Sequence, residues 1–277
     1  MPDAPSPTVH FQRRLCAWKG HLQNTFSLRK QKLRNAAFYR RYPYAQPLSH
    51  RKADTRGMVQ RDLRFFYNRV PKAANTTIMH TLADALGLPD KQRATIDDQF
   101  RRPSQLSDRQ VSELLQNGFK FTFVRNPYTR VLSAYLDKIV NGPRCPRHLR
   151  HADGSAPTFV EFCRHLERGA IYKDPHWIPQ CWLLLLPPEA FDFIGRIERL
   201  ETDLEQVYQR VVPGYGKPPT TCAPHRTGAN GRIQEHIDEE AAAILQRLYA
   251  DDFAAFGYSV RPEQAASPQA TPDGAGR

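Results

Sequence analysis

The 277-residue chain has no uncharged apolar run near the roughly 18 to 20 residues that a bilayer-spanning helix needs. Its longest, around Trp182 and Leu186, falls far short, so no membrane span is expected. No apolar leader follows Met1, and no secretory signal is expected either. Cysteine is scarce: five residues (16, 145, 163, 181 and 222), odd in number, widely spaced, with no Cys-x-x-Cys. That pattern argues against a disulfide framework and against a metal site, and it suits a reducing compartment, the cytoplasm. The Walker A pattern is also missing, which counts against a nucleotide triphosphatase. Acids are nearly absent from the N-terminal region, where Asp3 is the only one before Asp54.

What is present is positive charge. Lys and Arg number 40 against 28 Asp and Glu, a formal net charge of +12. Such an excess points to anionic partners: nucleotides, acidic glycans, nucleic acid or a lipid surface. A hydrophobic content of 40% is enough for a full core in one large domain. Phe11, Leu15, Trp18, Leu22 and Phe26 recur at steps of four and three among Arg and Lys residues. This predicts a basic amphipathic helix within residues 9–40, whose stripe either packs on the domain or lies on an anionic membrane; a transit peptide is a third option. Residues 41–60 carry Pro43, Pro47 and Gly57 and read as a linker. The expected organisation is an extension and linker over 1–60, a main domain over 61–260 and a disordered Pro/Ala/Gly tail over 261–277.

The main domain opens on an aromatic, β-branched run, residues 65–70, predicted as a strand. Pro71 and Lys72 break it, Ala73 and Ala74 follow, and Asn75, Thr76 and Thr77 supply helix-start chemistry ahead of Ile78, Leu82, Ala85 and Leu86. A strand, tight turn and helix leave the first helical N–H groups without partners at the positive end of the helix dipole. With small side chains beside them and a lysine at the mouth, they suit a phosphate or sulfate group. An ordinary βα turn with a surface lysine reads equally well from this stretch alone.

The pattern recurs. Residues 88–107 read as a loop, Ser107 caps a short helix that Gly118 ends, and residues 119–124 form a second buried strand. That strand delivers Arg125 to the start of a helix at Pro127, and Ser133 lies further along it. Both could reach one anion, although a salt-bridged Arg125 and a packing Ser133 are equally compatible. A helix over 158–168, a third strand over 191–197, a helix to about 212 and a last helix over 234–249 complete the alternation. Strands alternating with helices predict an α/β fold with a mainly parallel central sheet flanked by helices. Ligands of such sheets sit at the carboxyl ends of strands, where Lys72 and Arg125 both fall.

Two separated stretches carry a resemblance. Val70-Pro71-Lys72-Ala73-Ala74-Asn75-Thr76-Thr77 is similar to the loop that binds the 5′-phosphosulfate of 3′-phosphoadenosine 5′-phosphosulfate (PAPS) in the sulfotransferase superfamily. Phe123-Val124-Arg125-Asn126-Pro127-Tyr128-Thr129-Arg130-Val131-Leu132-Ser133-Ala134-Tyr135 resembles the segment that binds the 3′-phosphate. The chain is most similar to the carbohydrate (membrane-associated) branch and looks like a bacterial-type soluble member. Many members carry glycine where Ala74 stands. The resemblance implies a P-loop-like, PAPS-binding sulfotransferase fold and transfer of a sulfuryl group to a hydroxyl, on a glycan or glycolipid.

Under that resemblance Lys72 neutralises the leaving 5′-phosphate, helped by the backbone of Ala73, Ala74, Asn75, Thr76 and Thr77 and by the two threonine hydroxyls. Arg125 and Ser133 hold the 3′-phosphate, and Arg226, in the segment 225–228, adds a C-terminal contact. PAPS is the donor, no metal is needed, and no nucleic-acid partner is expected. A general base is required, and histidine suits neutral pH. His176 is the first candidate, beside Trp177 as a sugar-stacking ring, with Glu198 and Glu201 in reserve. A small-molecule kinase, or a non-enzymatic binder of anionic glycan or nucleic acid, remains as an alternative.

Overall fold

A computed structural model describes residues 31–62, 64–88, 96, 98–142, 145–212 and 228–265. Five strands form one sheet in the order β3-β1-β2-β4-β5. The helices α1 (Ala37–Arg41) and α2 (His50–Asp54) lead into β1 (Gly57–Gln60). After β2 (Phe65–Asn68) come α3 (Asn75–Ala85), the short β3 (Phe100–Arg101), α4 (Asp108–Asn117) and β4 (Phe119–Val124). The chain continues through α5 (Pro127–Tyr135), α6 (Phe159–Glu167), β5 (Phe193–Arg196), α7 (Leu200–Val211), α8 (Ile233–His236), α9 (Glu239–Leu248) and α10 (Ala250–Phe256).

The sheet is mixed rather than mainly parallel. β2, β4 and β5 run parallel, with Phe65 opposite Phe119 and Phe121 opposite Phe193. β1 is antiparallel to both β2 and β3. The sequence conceals β1 because Gly-Met-Val-Gln is only four residues long and begins on a glycine. All four are nonetheless buried. Residues 37–60, which read from sequence as extension and linker, therefore carry two helices and a strand of the sheet. Phe38 and Tyr39 lie in the core, 0% and 2% exposed. Tyr39 donates to Asp54, which also accepts from the Ser104 hydroxyl. The amphipathic stripe expected around residues 11–26 lies outside the described residues. The first residues of the expected tail belong to the fold as well, since Ala265 is buried.

Period-two alternation in buried strands sends successive side chains to opposite faces, and each face has its own core. On one side, Phe65, Tyr67, Phe121 and Phe123 pack with Ile78, Met79 and Leu82 of α3 and Leu204, Val207 and Tyr208 of α7. Phe66 and Val124 point the other way, toward Tyr128, Val131 and Leu132 of α5 and the apolar stripes of α6 and α9. β4 and β5 approach closely because Gly195 lies opposite Phe123; an added Cβ there would come within 2.5 Å of the Phe123 ring. A buried side chain stitches the segment 183–185 to the sheet: Asn68 Nδ2 donates to the Leu183 carbonyl, and its Oδ1 accepts from Leu185 N.

Helix ends follow local chemistry. Ser107 and Gln110 form a reciprocal capping box on α4, and Thr158 and Glu161 do the same on α6. The helix expected over 234–249 is divided, because Asp238 turns extended and caps α9 with its own carboxylate. The helix expected from Pro127 to about 140 closes with a wider turn, Leu136–Val140, in which Asn141 N donates to the Leu136 carbonyl.

Candidate active site

β2 and β4 are neighbours and parallel, so their carboxyl ends lie side by side. Lys72 follows the first and Arg125 the second. The structure brings the two together: Arg125 Nη1 donates to the Lys72 carbonyl at 3.3 Å. The Arg125 guanidinium is otherwise held by Thr129 Oγ1 at 2.9 Å and Asn230 Oδ1 at 2.7 Å. Burial pulls its pKa down to about 10, so it remains cationic at neutral pH.

The loop between β2 and α3 is strained. Lys72 (φ 67) and Ala74 (φ 52) both adopt left-handed backbone, which non-glycine residues enter at a cost. Ala74 is the N-cap of α3 and offers no side-chain cap. This conformation explains why a glycine would be at home there. It also leaves the first N–H groups of an 11-residue helix without a side-chain acceptor, beside a lysine. Ala73 and Thr77 are buried, Asn75 is half-buried and Thr76 is exposed.

Lys72 Nζ makes an ion pair with Asp137 Oδ2 at 2.9 Å. Burial lowers the lysine pKa, and the hydrogen bond and charge of Asp137 oppose the shift. Ser133 is 2% exposed on α5, a helix buried along its whole length.

Arg130 holds the floor. It is fully buried, and its guanidinium donates to three carbonyls: Pro71 at 3.0 Å, Ile178 at 2.8 Å and Pro175 at 3.2 Å. The residue before Lys72 and the residues flanking His176 are thereby tied to one side chain. Burial depresses the Arg130 pKa, and the charge of Asp252 opposes this. Asp252, itself buried, accepts from Gln180 N and Cys181 N, while the Gln180 amide exchanges two hydrogen bonds with the backbone of Arg125. Gln180 and Asp252 have no role in the expected site, although Pro179-Gln180 and Asp252-Phe253 are weak echoes of the same sulfotransferase resemblance. Arg130 stands inside the second motif without an expected role, although arginine in the middle of an apolar helix face is the kind of signal that marks a buried polar hub.

His176 stands on the segment that Arg130 anchors. Its Nδ1 pairs with Asp174 Oδ1, which also accepts from the His176 backbone N–H. Any proton transfer by this ring therefore falls to Nε2. Trp177 is not available for stacking on a sugar: it is 7% exposed, its Nε1 donates to the Ala170 carbonyl, and Phe162 packs edge-on against it. Glu198 is also engaged, accepting from Asn126 N at 2.8 Å and Tyr258 Oη at 3.0 Å, so it supports the start of α5. Glu201 is exposed in the first turn of α7. Arg226 lies outside the described residues. Among the described residues no group of three or more His, Cys, Asp or Glu could hold a metal, and no helix is long and apolar enough to cross a membrane.

A βα loop with an uncapped helix start, a lysine within it and a buried arginine that follows the adjacent strand meet at the carboxyl edge of a mixed α/β sheet. The chain belongs to the sulfotransferase family, whose model matches residues 55–259. It is 30% identical to carbohydrate sulfotransferase 14 of Mus musculus over 241 residues, covering 79% of this chain and 64% of that protein. Carbohydrate sulfotransferase 14 of Homo sapiens matches equally well, with the same coverage. Carbohydrate sulfotransferase 11 of Mus musculus is 27% identical over 73% of this chain and 67% of its own length. The chain thus spans a little under two thirds of the length of the first two relatives. No solved structure matches it.

Proposed function

We propose that this protein transfers a sulfuryl group from PAPS to a hydroxyl on a carbohydrate or glycoconjugate. The observation that carries the reading is the contact between two strand tips: the guanidinium of Arg125 on the backbone of Lys72. It supports one crevice offering cations to both ends of a doubly charged adenosine donor. Family membership and the resemblance to carbohydrate sulfotransferases support the reaction class and the acceptor class.

In this reading, the acceptor oxygen forms a bond to sulfur as the bond from sulfur to the 5′-phosphate oxygen breaks. Adenosine 3′,5′-bisphosphate leaves, and the hydroxyl proton passes to a base. The chain's task is positioning and charge stabilisation. Lys72 meets the negative charge that grows on the leaving phosphate, with backbone N–H groups from 73–77 and the hydroxyls of Thr76 and Thr77. Arg125 and Ser133 hold the 3′-phosphate, and Arg226 adds to that grip. His176, with its Nδ1 proton held by Asp174, takes the acceptor proton at Nε2. Arg130 keeps the lysine loop and the histidine segment in register.

Placement in the cytoplasm, with peripheral contact at a membrane surface through residues 9–40, is part of the same proposal. Thermal-shift titration tests the donor: adenosine 3′,5′-bisphosphate is expected to stabilise the protein, and ATP with magnesium is not. Transfer of labelled sulfate from PAPS to a panel of glycans and glycolipids then identifies the acceptor. Stabilisation by ATP–magnesium alone would favour a kinase instead.

A further inference from the structure

Asp137 has no role in the transfer scheme above. It sits on the widened turn after α5, and such turns often mark functional positions. One carboxylate oxygen, Oδ2, accepts from Lys72 Nζ at 2.9 Å and from Lys138 Nζ at 2.9 Å. The three side chains are 15%, 25% and 26% exposed in the order Lys72, Asp137, Lys138, so the cluster is partly buried yet reachable from solvent. Lys72, Lys138 and the nearby Arg125 are like charges, and both Lys138 and Arg125 disfavour the charged form of Lys72. Asp137 offsets that repulsion. An anionic group arriving at Lys72 meets an ammonium already engaged.

We propose that Asp137 is an internal counter-anion that competes with the donor for Lys72, giving up this lysine when an anionic group arrives and keeping Lys138. This rests on the donor reading above. The opposite role, a prop that holds Lys72 in its binding position, makes the opposite prediction for affinity. Releasing a competitor tightens binding, whereas removing a prop loosens it.

Calorimetric titration with adenosine 3′,5′-bisphosphate separates them. Asp137→Asn and Asp137→Ala are expected to bind about two- to fivefold tighter than wild type, the scale of a partly exposed ion pair. The gain should vanish in a Lys72→Ala background, because Asp137 acts through that lysine. Unchanged or weaker binding in whichever Asp137 variant folds would overturn the proposal. So would a gain that persists without Lys72, which would mean a general field effect. If the wild-type protein does not bind the bisphosphate, the donor reading fails and this inference goes with it. If wild type binds and the variants match it, only the inference fails.

Discussion

Lys72 and Arg130 show two different uses of a cation. Lys72 stands in the loop after β2, its charge sustained by Asp137 against burial. Lys72→Ala is expected to reduce sulfate transfer by about 10²- to 10³-fold, the usual cost of deleting one stabilising group at a developing anion, while the melting temperature changes little. Labelled-sulfate assays and thermal denaturation measure both. Arg130 is 0% exposed and fully committed to backbone carbonyls. Arg130→Met leaves three carbonyl acceptors inside without donors and is expected to cost roughly 3 to 5 kcal/mol in chemical denaturation. Lysine cannot rescue it, since the three donors of one ammonium nitrogen do not reproduce the planar fork whose three separate nitrogens reach Pro71, Ile178 and Pro175.

Asp137 also has a signature in pH. Burial alone would raise its pKa, but hydrogen bonds from Lys138 and Lys72 bring it from 3.8 to about 2. A carboxyl whose folded pKa is depressed stabilises the native state above its unfolded pKa, and that contribution fades as pH falls toward the folded value. Between about pH 4 and pH 2 the stability of Asp137→Asn is therefore expected to fall less steeply than that of wild type, as followed by circular dichroism across acid titration.

Among the elements, those with strong local signals are legible in the amino-acid sequence. The Ser107 cap and the Gly118 end predict α4, which runs Asp108–Asn117. The aromatic run 119–124 is β4 to the residue. Ser107→Ala removes the hydroxyl that accepts from Gln110 N and is expected to destabilise by about 1 kcal/mol, visible as a small drop in melting temperature. Three features have no such signal. β1 and β3 are too short for periodicity, and their strand character comes from pairing with partners distant in sequence. The break at Asp238 is hidden because an apolar helical pattern continues through it.

At the scale of the whole molecule, residues 37–60 are part of the fold. Phe38 packs against Phe66 and Tyr39, with ring centroids at 5.9 Å and 5.4 Å. Phe38→Ala is expected to cost about 3 to 5 kcal/mol, as large-to-small changes in a closed core do. A chain starting at residue 57 is expected to be insoluble or unfolded, whereas one starting at residue 31 should retain a cooperative melt. Differential scanning calorimetry of the two truncations distinguishes a structural role for this region from that of a dispensable linker.

Much of the site is written in local chemistry: a lysine after one strand, an arginine after another, and small residues ahead of a helix. Strand-to-helix boundaries depend on side chains a few positions apart, so Lys72 and Arg125 can be placed on loops from sequence alone. Adjacency cannot. That β2 and β4 are neighbours, that Asp137 returns one helix later to meet Lys72, and that Arg130 and Asp252 brace the loops from inside all depend on contacts between residues far apart in the chain. Trp177 makes the same point, because only the packing of α6 against its segment turns an apparent binding ring into core. Local propensity is set by near neighbours along the chain, whereas burial and charge pairing are set by neighbours in space, which exist only once the two faces of the sheet are covered.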